Sequence, residues 1–310
     1  MQRSIVVVGS LNLDLVARVN RHPAIGETII GLDFNTFCGG KGANQAVALG
    51  RLGAAVKMVG RLGTDAFATQ LRQGLEQAGV DTTCVENVPG ASGTALITIS
   101  DRGDNNIIVI PGANALLLPE DLDRHRQQIL GASMVLGQLE IPRESTEYLA
   151  EMLDSAGIPF LLDPAPADKL SPKLLQAVTW LTPNETEARH LLGLDSDDSS
   201  EISESETANR ILGLGVRNVI LKLGSKGVYM AGKDVVSTYI DAVTVRAIDS
   251  TAAGGAFNGA FAFALAQNRM APQDAARFAC GAAAISVTRL GAQTSMPTMS
   301  ECEAFMACGK

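Results

Sequence analysis

The chain has 310 residues, of which 46% are hydrophobic and 19% charged. This is ordinary composition for a globular protein, and the length is enough to bury a large core. The formal net charge is −8 and lysines and arginines form no run, which disfavours a nucleic-acid partner or an anionic membrane. The longest apolar runs are too short to span a membrane.

The cysteines are five in number and lack metal-ligand spacing; they are Cys38, Cys84, Cys280, Cys302 and Cys308. An odd set without that spacing is typical of reduced thiols, so we expect a cytoplasmic protein.

The first predicted element is a strand over residues 4–9, which is apolar on both faces and ends in a polar turn. Asn12 and Asp14 follow it, at the carboxyl end of a strand, where open α/β sheets bind ligands. Asn and Asp are also favoured in ordinary turns, so a ligand site and a plain turn both stay open here. Residues 15–37 alternate loosely and contain Pro23 and Gly26, which predicts short exposed strands.

A glycine-rich stretch opens the next predicted helix, which closes near Gly53; it reads Cys38-Gly39-Gly40-Lys41-Gly42-Ala43-Asn44-Gln45-Ala46. Its glycines let a ligand approach the backbone, and Lys41 and Asn44 supply donors. The P-loop pattern is absent. A capped helix start is the alternative, but the density of glycines favours a binding loop.

Residues 55–59 are predicted as a strand and residues 65–77 as a helix. Two further strands, residues 93–100 and 106–110, flank the turn Asp101-Arg102-Gly103-Asp104. We expect this hairpin to pair with residues 15–37 in a small sheet outside the main one. Such a lid would shield a reaction from water.

From residue 133 onwards strands and helices alternate. The predicted strands are residues 134–139, 158–163, 179–182 and 218–223, and the helices are residues 142–156, 169–177 and 185–192. This alternation predicts βαβ units and a mostly parallel sheet. The acidic, serine-rich residues 195–206 are predicted as a solvated loop and a helix start. No linker divides the chain, so we expect one domain over residues 1–310.

The next stretch joins a predicted strand, on which Val243, Val245 and Ala247 alternate, to a predicted buried helix over residues 256–266. It reads Ile248-Asp249-Ser250-Thr251-Ala252-Ala253-Gly254-Gly255-Ala256-Phe257-Asn258-Gly259-Ala260. Small residues at the junction let backbone N–H groups converge at the positive end of the helix. Such a point can bind phosphate and stabilise a phosphoryl group in transit, although a plain glycine-rich turn is the alternative.

Four segments, in this order along the chain, resemble the signatures of the ribokinase branch of the PfkB sugar-kinase family. They are Gly39-Gly40-Lys41-Gly42-Ala43-Asn44, the N-x-x-E motif Asn184-Glu185-Thr186-Glu187, the stretch from Asp249 to Gly259, and the tail from Ala284 to Ser295. The family writes the third segment D-T-x-A-A-G-D-x-F-N-G, and its second aspartate is the general base. In this chain Gly255 stands at that position.

The resemblance implies a ribokinase-like α/β fold, with a doubly wound, mostly parallel sheet flanked by helices. It also implies a small β-sheet lid formed by about residues 12–37 and 94–110. The implied reaction is the ATP-dependent phosphorylation of the primary hydroxyl of D-ribose. Family members commonly pair through their lid sheets, so a homodimer is expected.

The resemblance also assigns roles to individual residues. The sugar would be held by Asn12, Asp14, Gly40, Lys41, Asn44 and Glu140. The nucleotide would lie against Asn184, Lys222, Gly224, Ser225, Gly227 and Gly254, and the anion hole would be formed by Ala252, Ala253 and Gly254, next to Gly255. K⁺ would be surrounded by Asp249, Thr251, Ser286, Arg289, Gly291 and Ser295.

Glu187, with Asn184, would organise Mg²⁺ through water, since Mg²⁺ prefers oxygen ligands and keeps several waters. The spacing N-x-x-E also suits a helix capping box, and both interpretations can hold.

Loss of the general base predicts impaired turnover, because such a base is worth about 10²–10⁴ in rate. Two alternatives remain open. One is a kinase for deoxyribose, a nucleoside or a ketohexose. The other is a catalytically silent protein that binds sugar and nucleotide.

Overall fold

The computed structural model describes residues 4–194 and 202–308. Its strands are β1 (Ile5–Val8), β2 (Asn12–Val19), β3 (Asp33–Gly39), β4 (Val56–Leu62), β5 (Val80–Asn87), β6 (Gly93–Ser100), β7 (Asn105–Ile110), β8 (Met134–Gly137), β9 (Phe160–Leu162), β10 (Trp180–Leu181), β11 (Asn218–Lys222), β12 (Val228–Gly232) and β13 (Thr238–Ile240). Nine strands form the main sheet in the order β13-β12-β11-β10-β9-β8-β1-β4-β5, and β3-β2-β6-β7 form a second sheet.

The strand order of the main sheet creates a crevice beside β1, the third strand from one edge. β1 pairs in parallel with β4 on one side and with β8 on the other. The strand order therefore reverses at β1, since the next parallel strands are added first on one side of it and then on the other. Open α/β sheets bind ligands at such a reversal, at the carboxyl ends of the strands. Of the nine strands only β12 is reversed, so its pairings with β11 and with the edge strand β13 are antiparallel.

Helices cover both faces of the main sheet because its strands are apolar on both sides. They are α1 (Lys41–Arg51), α2 (Ala66–Gln77), α3 (Pro119–Arg124), α4 (Arg126–Leu130), α5 (Arg143–Ala156), α6 (Pro172–Ala177), α7 (Glu185–Leu191), α8 (Glu204–Gly213), α9 (Ala253–Ala262), α10 (Pro272–Ser286) and α11 (Met299–Cys308). Ile5 and Val7 of β1 enter the core on one face, with α1, α9 and α10. Val6 and Val8 enter a second core on the other face, with α5 and α6.

The pairing of the second sheet decides which residues share each of its two faces. Asp14, Ala95 and Val109 lie side by side on one face, and Leu15, Leu96 and Ile108 lie side by side on the other. The sheet takes its strands from residues 12–39 and 93–110, against the predicted 12–37 and 94–110. Its action as a lid, and the single domain over residues 1–310, stay predictions.

The predicted strand at residues 243–247 is wrong. Strand β13 ends at Ile240, and residues 241–248 form no strand and lie mostly at the surface. These residues pair with none of the described strands, so the alternating side chains form no strand. The sequence analysis also did not predict β5, β12 and β13, the short helices α3 and α4, or the helices α10 and α11.

The acidic segment is described only in part, since residues 195–201 of the predicted loop lie outside the described residues. The predicted helix start is confirmed: α8 begins at Glu204, and the side chain of Ser203 accepts a hydrogen bond from the N–H of Glu206. Within the described chain, no helix has the length and the apolar character needed to cross a bilayer.

Candidate active site

Polar side chains follow β1 and β8 where these neighbouring strands end. Ser10 Oγ donates to Glu140 Oε2 at 2.5 Å, and the N–H of Lys41, the first residue of α1, donates to the same oxygen at 3.0 Å. The N–H of Gly42 donates to Ser10 Oγ at 3.3 Å. Glu140 is therefore fixed between the end of β1 and the first turn of α1.

Asp14 lies beside this cluster, on β2. Burial, together with the negative charge of Glu140, raises the pKa of Asp14 to about 7, and Lys41 opposes the shift. A Cβ at Gly39 would lie 2.2 Å from Asp14 Oδ2, so a side chain there would displace the carboxylate from this position. The site thus places two carboxylates and one ammonium group in one partly buried cleft.

Asn12 and Asn44 complete the predicted sugar set. Asn12 is 3% exposed, and a Cβ added at Gly40 would lie 2.7 Å from its backbone nitrogen. Asn44 is also buried, and its Oδ1 has no hydrogen-bond partner among the described residues. A buried acceptor without a partner costs free energy unless a ligand or water pairs with it. The six predicted residues lie at one place in the fold.

A hydrogen-bonded network of four polar side chains runs under the cleft, and the sequence analysis assigned a role only to one of them, Lys222. Lys222 Nζ at the end of β11 donates to Asp163 Oδ1 at 2.9 Å. Gln45 Nε2 of α1 donates to Asp163 Oδ2 at 3.2 Å, and Gln138 Nε2 donates to Gln45 Oε1 at 2.7 Å. This hydrogen-bonded network links strands β8, β9 and β11 to α1. Polar residues directly after apolar strands were the available signal.

Helix α9 points its N-terminus at the same cleft. Ala252, its N-cap, has a left-handed φ of 61°. The N–H of Ala253 donates to Ser250 O at 3.2 Å, so of the three predicted anion-hole residues this one is engaged within the loop. The amides of Gly254 and Gly255 belong to the first turn, where N–H groups have no intrahelical partner.

The two glycines at the start of α9 contact opposite sides of the cleft. A Cβ added at Gly254 would lie 3.2 Å from Lys222 Nζ, and one added at Gly255 would lie 3.2 Å from Asn44 Cβ. Gly255 therefore lies against α1, beside the sugar residues, while Gly254 lies beside the buried lysine. A side chain at Gly255 needs Asn44 to move by a few tenths of an ångström.

Asn184 and Glu187 form the capping box of α7. The N–H and Nδ2 groups of Asn184 donate to Glu187 at 2.8 and 2.9 Å, and the N–H of Glu187 donates to Asn184 Oδ1 at 2.8 Å. Burial raises the pKa of Glu187, against the opposing charge of Lys222. Asn184 forms a parallel β-bridge with Lys222, so the capping box lies next to the hydrogen-bonded network that includes Lys222.

The turn after β11 carries the other predicted nucleotide residues. Gly224 and Ser225 are exposed in a short 3₁₀ turn, and Gly227 follows it with a φ of 100°. They lie on the same edge of the sheet as Lys222, because they directly follow its strand.

The predicted cation residues fall in two loops that touch. Asp249 accepts hydrogen bonds from the N–H groups of Thr251 and Gly291, at 2.8 and 2.9 Å. Burial alone would raise the pKa of Asp249, but these bonds outweigh it and hold the pKa below its usual value. Ser286 Oγ and Ser295 Oγ instead donate to Ala283 O and Ala292 O.

Arg289 pairs with Glu301, its Nη2 lying 2.6 Å from Oε1, so only its backbone is free to face a cation. In the part of the chain that is described, no cluster of three or more His, Cys, Asp or Glu side chains could hold a metal ion.

Apolar residues beside Asp14 form a part of the cleft that the sequence did not single out. Asp14 lies on the same sheet face as Phe37, Ala95 and Val109. Alternation in a strand puts every second residue on one face, which could have found them once the strand pairing was known.

Comparison with known proteins identifies a family, two relatives and a similar solved structure. The sequence matches the pfkB family of carbohydrate kinases over residues 2–299. It is 41% identical over 307 residues to ribokinase of Bacillus subtilis, covering 98% of this chain and 100% of that protein. It is 36% identical over 308 residues to deoxyribokinase of Salmonella typhi, covering 98% of each. The fold is similar to Arabidopsis thaliana ribokinase complexed with ribose and ATP, at a TM-score of 0.91 and 33% identity over 99% of each chain.

Proposed function

Because the chain belongs to the pfkB family of carbohydrate kinases and is a sugar kinase of ribokinase type, we propose that it phosphorylates D-ribose. The γ-phosphoryl group of ATP passes to the primary hydroxyl, giving D-ribose 5-phosphate and ADP. One observation carries the proposal: Asp14, Glu140 and Lys41 meet at the crevice of the sheet, beside the N-terminus of α9. A polyol and a phosphoryl group would meet at that point.

The polar cleft suits a pentose. Carboxylates and amides bind hydroxyl groups in pairs, and a site built for these bonds rejects a sugar that leaves them unmade. Asn44, at the start of α1 and against Gly255, would supply one of these amides. Ala95 and Val109 would pack against the apolar side of the ring.

The nucleotide would lie along the ends of β10 and β11, over Asn184, Lys222 and the turn from Gly224 to Gly227. Glu187 would bind Mg²⁺ only through a water molecule, since both of its carboxylate oxygens accept hydrogen bonds from Asn184. Mg²⁺ would therefore be held by phosphates and water, with Glu187 orienting a water. When bound, Mg²⁺ neutralises charge on the phosphates.

Transfer of the phosphoryl group depends mainly on positioning and electrostatics. The N-terminus of α9 supplies N–H groups from Gly254 and Gly255 and a partial positive charge. Lys222 adds an ammonium group beside Gly254. These groups face the place where charge develops on the transferred phosphoryl group.

Gly255 offers no side chain to take the proton from the sugar hydroxyl. We therefore propose that this chain binds both substrates and turns over slowly. The loss is that of a general base, while the pocket and the helix N-terminus stay in place.

A monovalent cation, K⁺, fits the two touching loops. Asp249 is held ionised by hydrogen bonds. Its loop contacts the second loop directly, because the N–H of Asp249 donates to Val287 O and the N–H of Gly291 donates to the Asp249 carboxylate. Raised nucleotide affinity when K⁺ replaces Na⁺ at fixed ionic strength would support the site, and an identical response to both ions would count against it.

A homodimer and a reducing compartment such as the cytoplasm complete the proposal. The outer face of the second sheet exposes Phe34, Leu96 and Ile108, which a partner sheet would cover. Four described cysteines, Cys38, Cys84, Cys280 and Cys302, are free thiols, as in proteins kept reduced.

Deoxyribose is the second candidate sugar, favoured by the 36% identity to a deoxyribokinase. Calorimetric titration with D-ribose, 2-deoxyribose and ATP, set beside a turnover assay, separates the possibilities. Tighter binding of ribose with slow production of ADP supports the proposal. Tighter binding of 2-deoxyribose favours the sibling kinase, and binding with no turnover at all favours a silent binding protein.

A further inference from the structure

Asn114 is a buried asparagine outside the proposed sugar-binding set. It is 1% exposed and lies in the 3₁₀ helix Gly112–Leu116, directly after β7 of the second sheet. The N–H of Leu11 donates to Asn114 Oδ1 at 2.9 Å, and Asn114 Nδ2 donates to Leu11 O at 3.2 Å. The same Nδ2 donates to Asn12 Oδ1 at 2.7 Å.

The backbone of Leu11 fixes which way the amide of Asn114 faces. An N–H can only donate and a C=O can only accept, so Oδ1 must face Leu11 N and Nδ2 must face Leu11 O. The atom of Asn12 that meets Nδ2 must then be its oxygen, because two NH₂ groups cannot bond to each other. A Cβ at Gly93 would collide with both amides, so glycine is needed there for the pair to form.

This arrangement leaves Nδ2 as the atom that Asn12 offers to a ligand. It bonds to no described residue, and it is not among the polar atoms sealed in the core without a partner. Gly40 packs against the backbone of Asn12 and Gly93 packs against its Oδ1, so little of the residue is accessible to solvent.

We propose that Asn114 is a positioning residue that makes Asn12 a hydrogen-bond donor to one hydroxyl oxygen of the pentose. This rests on the proposed function, which supplies the pentose. Ionised Asp14 can only accept, so the two side chains present opposite polarity to the sugar: Asn12 binds a hydroxyl oxygen and Asp14 binds hydroxyl protons. An analogue that lacks the hydroxyl bound by Asn12 leaves this buried donor unpaired, so it should bind more weakly than ribose.

The test compares Asn114→Ala with the matched control Asn268→Ala, which removes an exposed asparagine after the π-helical turn Phe263–Gln267. Calorimetry gives the Kd for D-ribose, for its 1-, 2- and 3-deoxy analogues and for ATP. Asn114→Ala should weaken ribose binding about tenfold, the usual worth of one hydrogen bond. The control and the affinity for ATP should not change. One deoxy analogue should bind equally to the Asn114→Ala variant and the parent chain, because the contact at stake is already absent.

Two results would overturn the role of Asn114: unchanged affinity for ribose, or an equal loss for ribose and all three analogues, which a merely loosened pocket would give. If Asn114→Ala does not fold by circular dichroism, Asn114→Asp takes its place. The aspartate keeps the acceptor for the Leu11 N–H but has no donor for Asn12. Asn12 would then turn its Nδ2 towards the aspartate, and the variant should lose the same selectivity among the analogues. A parent chain that binds no pentose contradicts the proposed function itself, whereas ribose binding without selective loss contradicts only Asn114.

Discussion

At the scale of single residues, the proposal that Gly255 limits the rate of turnover can be tested by restoring a carboxylate. Gly255→Asp places a carboxylate at the N-terminus of α9, which favours its ionised form. We expect kcat to rise by about 10²–10⁴, the usual worth of a positioned base, with little change in ribose affinity. Initial rates of ADP production at saturating ribose and ATP measure the effect.

The control for this change is Gly255→Asn, which has nearly the same shape and no base. It should leave kcat close to that of the parent chain, since any crowding of Asn44 Cβ, 3.2 Å from the added Cβ, is common to both variants. Parent turnover of roughly 1–100 s⁻¹, ordinary for kinases, would mean that another group acts as the base.

Asp14 predicts a pH dependence of sugar binding. Its pKa rises from 3.8 to about 7 in the folded chain, so it is mainly protonated below pH 7 and ionised above. Ribose affinity should increase as the pH rises towards 7, by about tenfold per unit below the pKa, and then level off. Calorimetric Kd values between pH 5.5 and 8.5 measure this, and Asp14→Asn should remove the step.

The same shift has the opposite sign for stability. A carboxyl whose folded pKa is raised favours the folded state at low pH, and this contribution is lost as the pH rises through 7. Ligand-free protein should therefore lose part of its stability over the range in which ribose binding improves. A parent chain and an Asp14→Asn variant with the same pH profile would contradict the assigned pKa.

At the scale of elements, the Lys222–Asp163 pair ties β11 to β9. The side chains are 14% and 7% exposed, so Lys222→Met leaves an unpaired carboxylate in the interior. Breaking such a pair costs about 3–5 kcal/mol, which urea unfolding followed by circular dichroism would register.

Lys226→Met is the matched control, four residues along the same turn. Its side chain is 68% exposed, and its ammonium reaches Glu204 and Glu185 only at 3.8 and 4.0 Å, so the loss should stay below about 1 kcal/mol. Equal losses for the two lysines would show that the buried pair does not hold these strands together. Adding Asp163→Leu to Lys222→Met should recover much of the stability.

At the scale of the whole molecule, the second sheet offers a surface for self-association. Ile108 is 63% exposed on the face it shares with Leu96. If two copies pair through this face, Ile108→Glu should convert the dimer to a monomer in sedimentation velocity, because a charge would be buried at the contact. Val236→Glu, at a site 77% exposed outside this sheet, should leave the dimer intact. A parent chain that sediments as a monomer would refute the proposal.

Local pattern was enough to predict the class of fold. Apolar runs of four to eight residues followed by helical segments predicted a mostly parallel sheet, because periodicity reports which side of an element is buried. The glycine-rich start of α1 and the junction before α9 were also readable, since both need small residues where backbone meets a ligand. Likeness to solved ribokinase structures confirms the fold.

What the tertiary structure alone decided lies in contacts between distant parts of the chain. Gln45 meets Asp163 across 118 positions, and Leu11 meets Asn114 across 103. No local period encodes such pairs, because strand order and crossover direction set them. The predicted strand at residues 243–247 failed for the same reason: alternation makes a strand only where another strand is free to pair. The sequence by itself determined which segments are buried and where the backbone is bare, and the packing of the sheet decided which polar groups meet there.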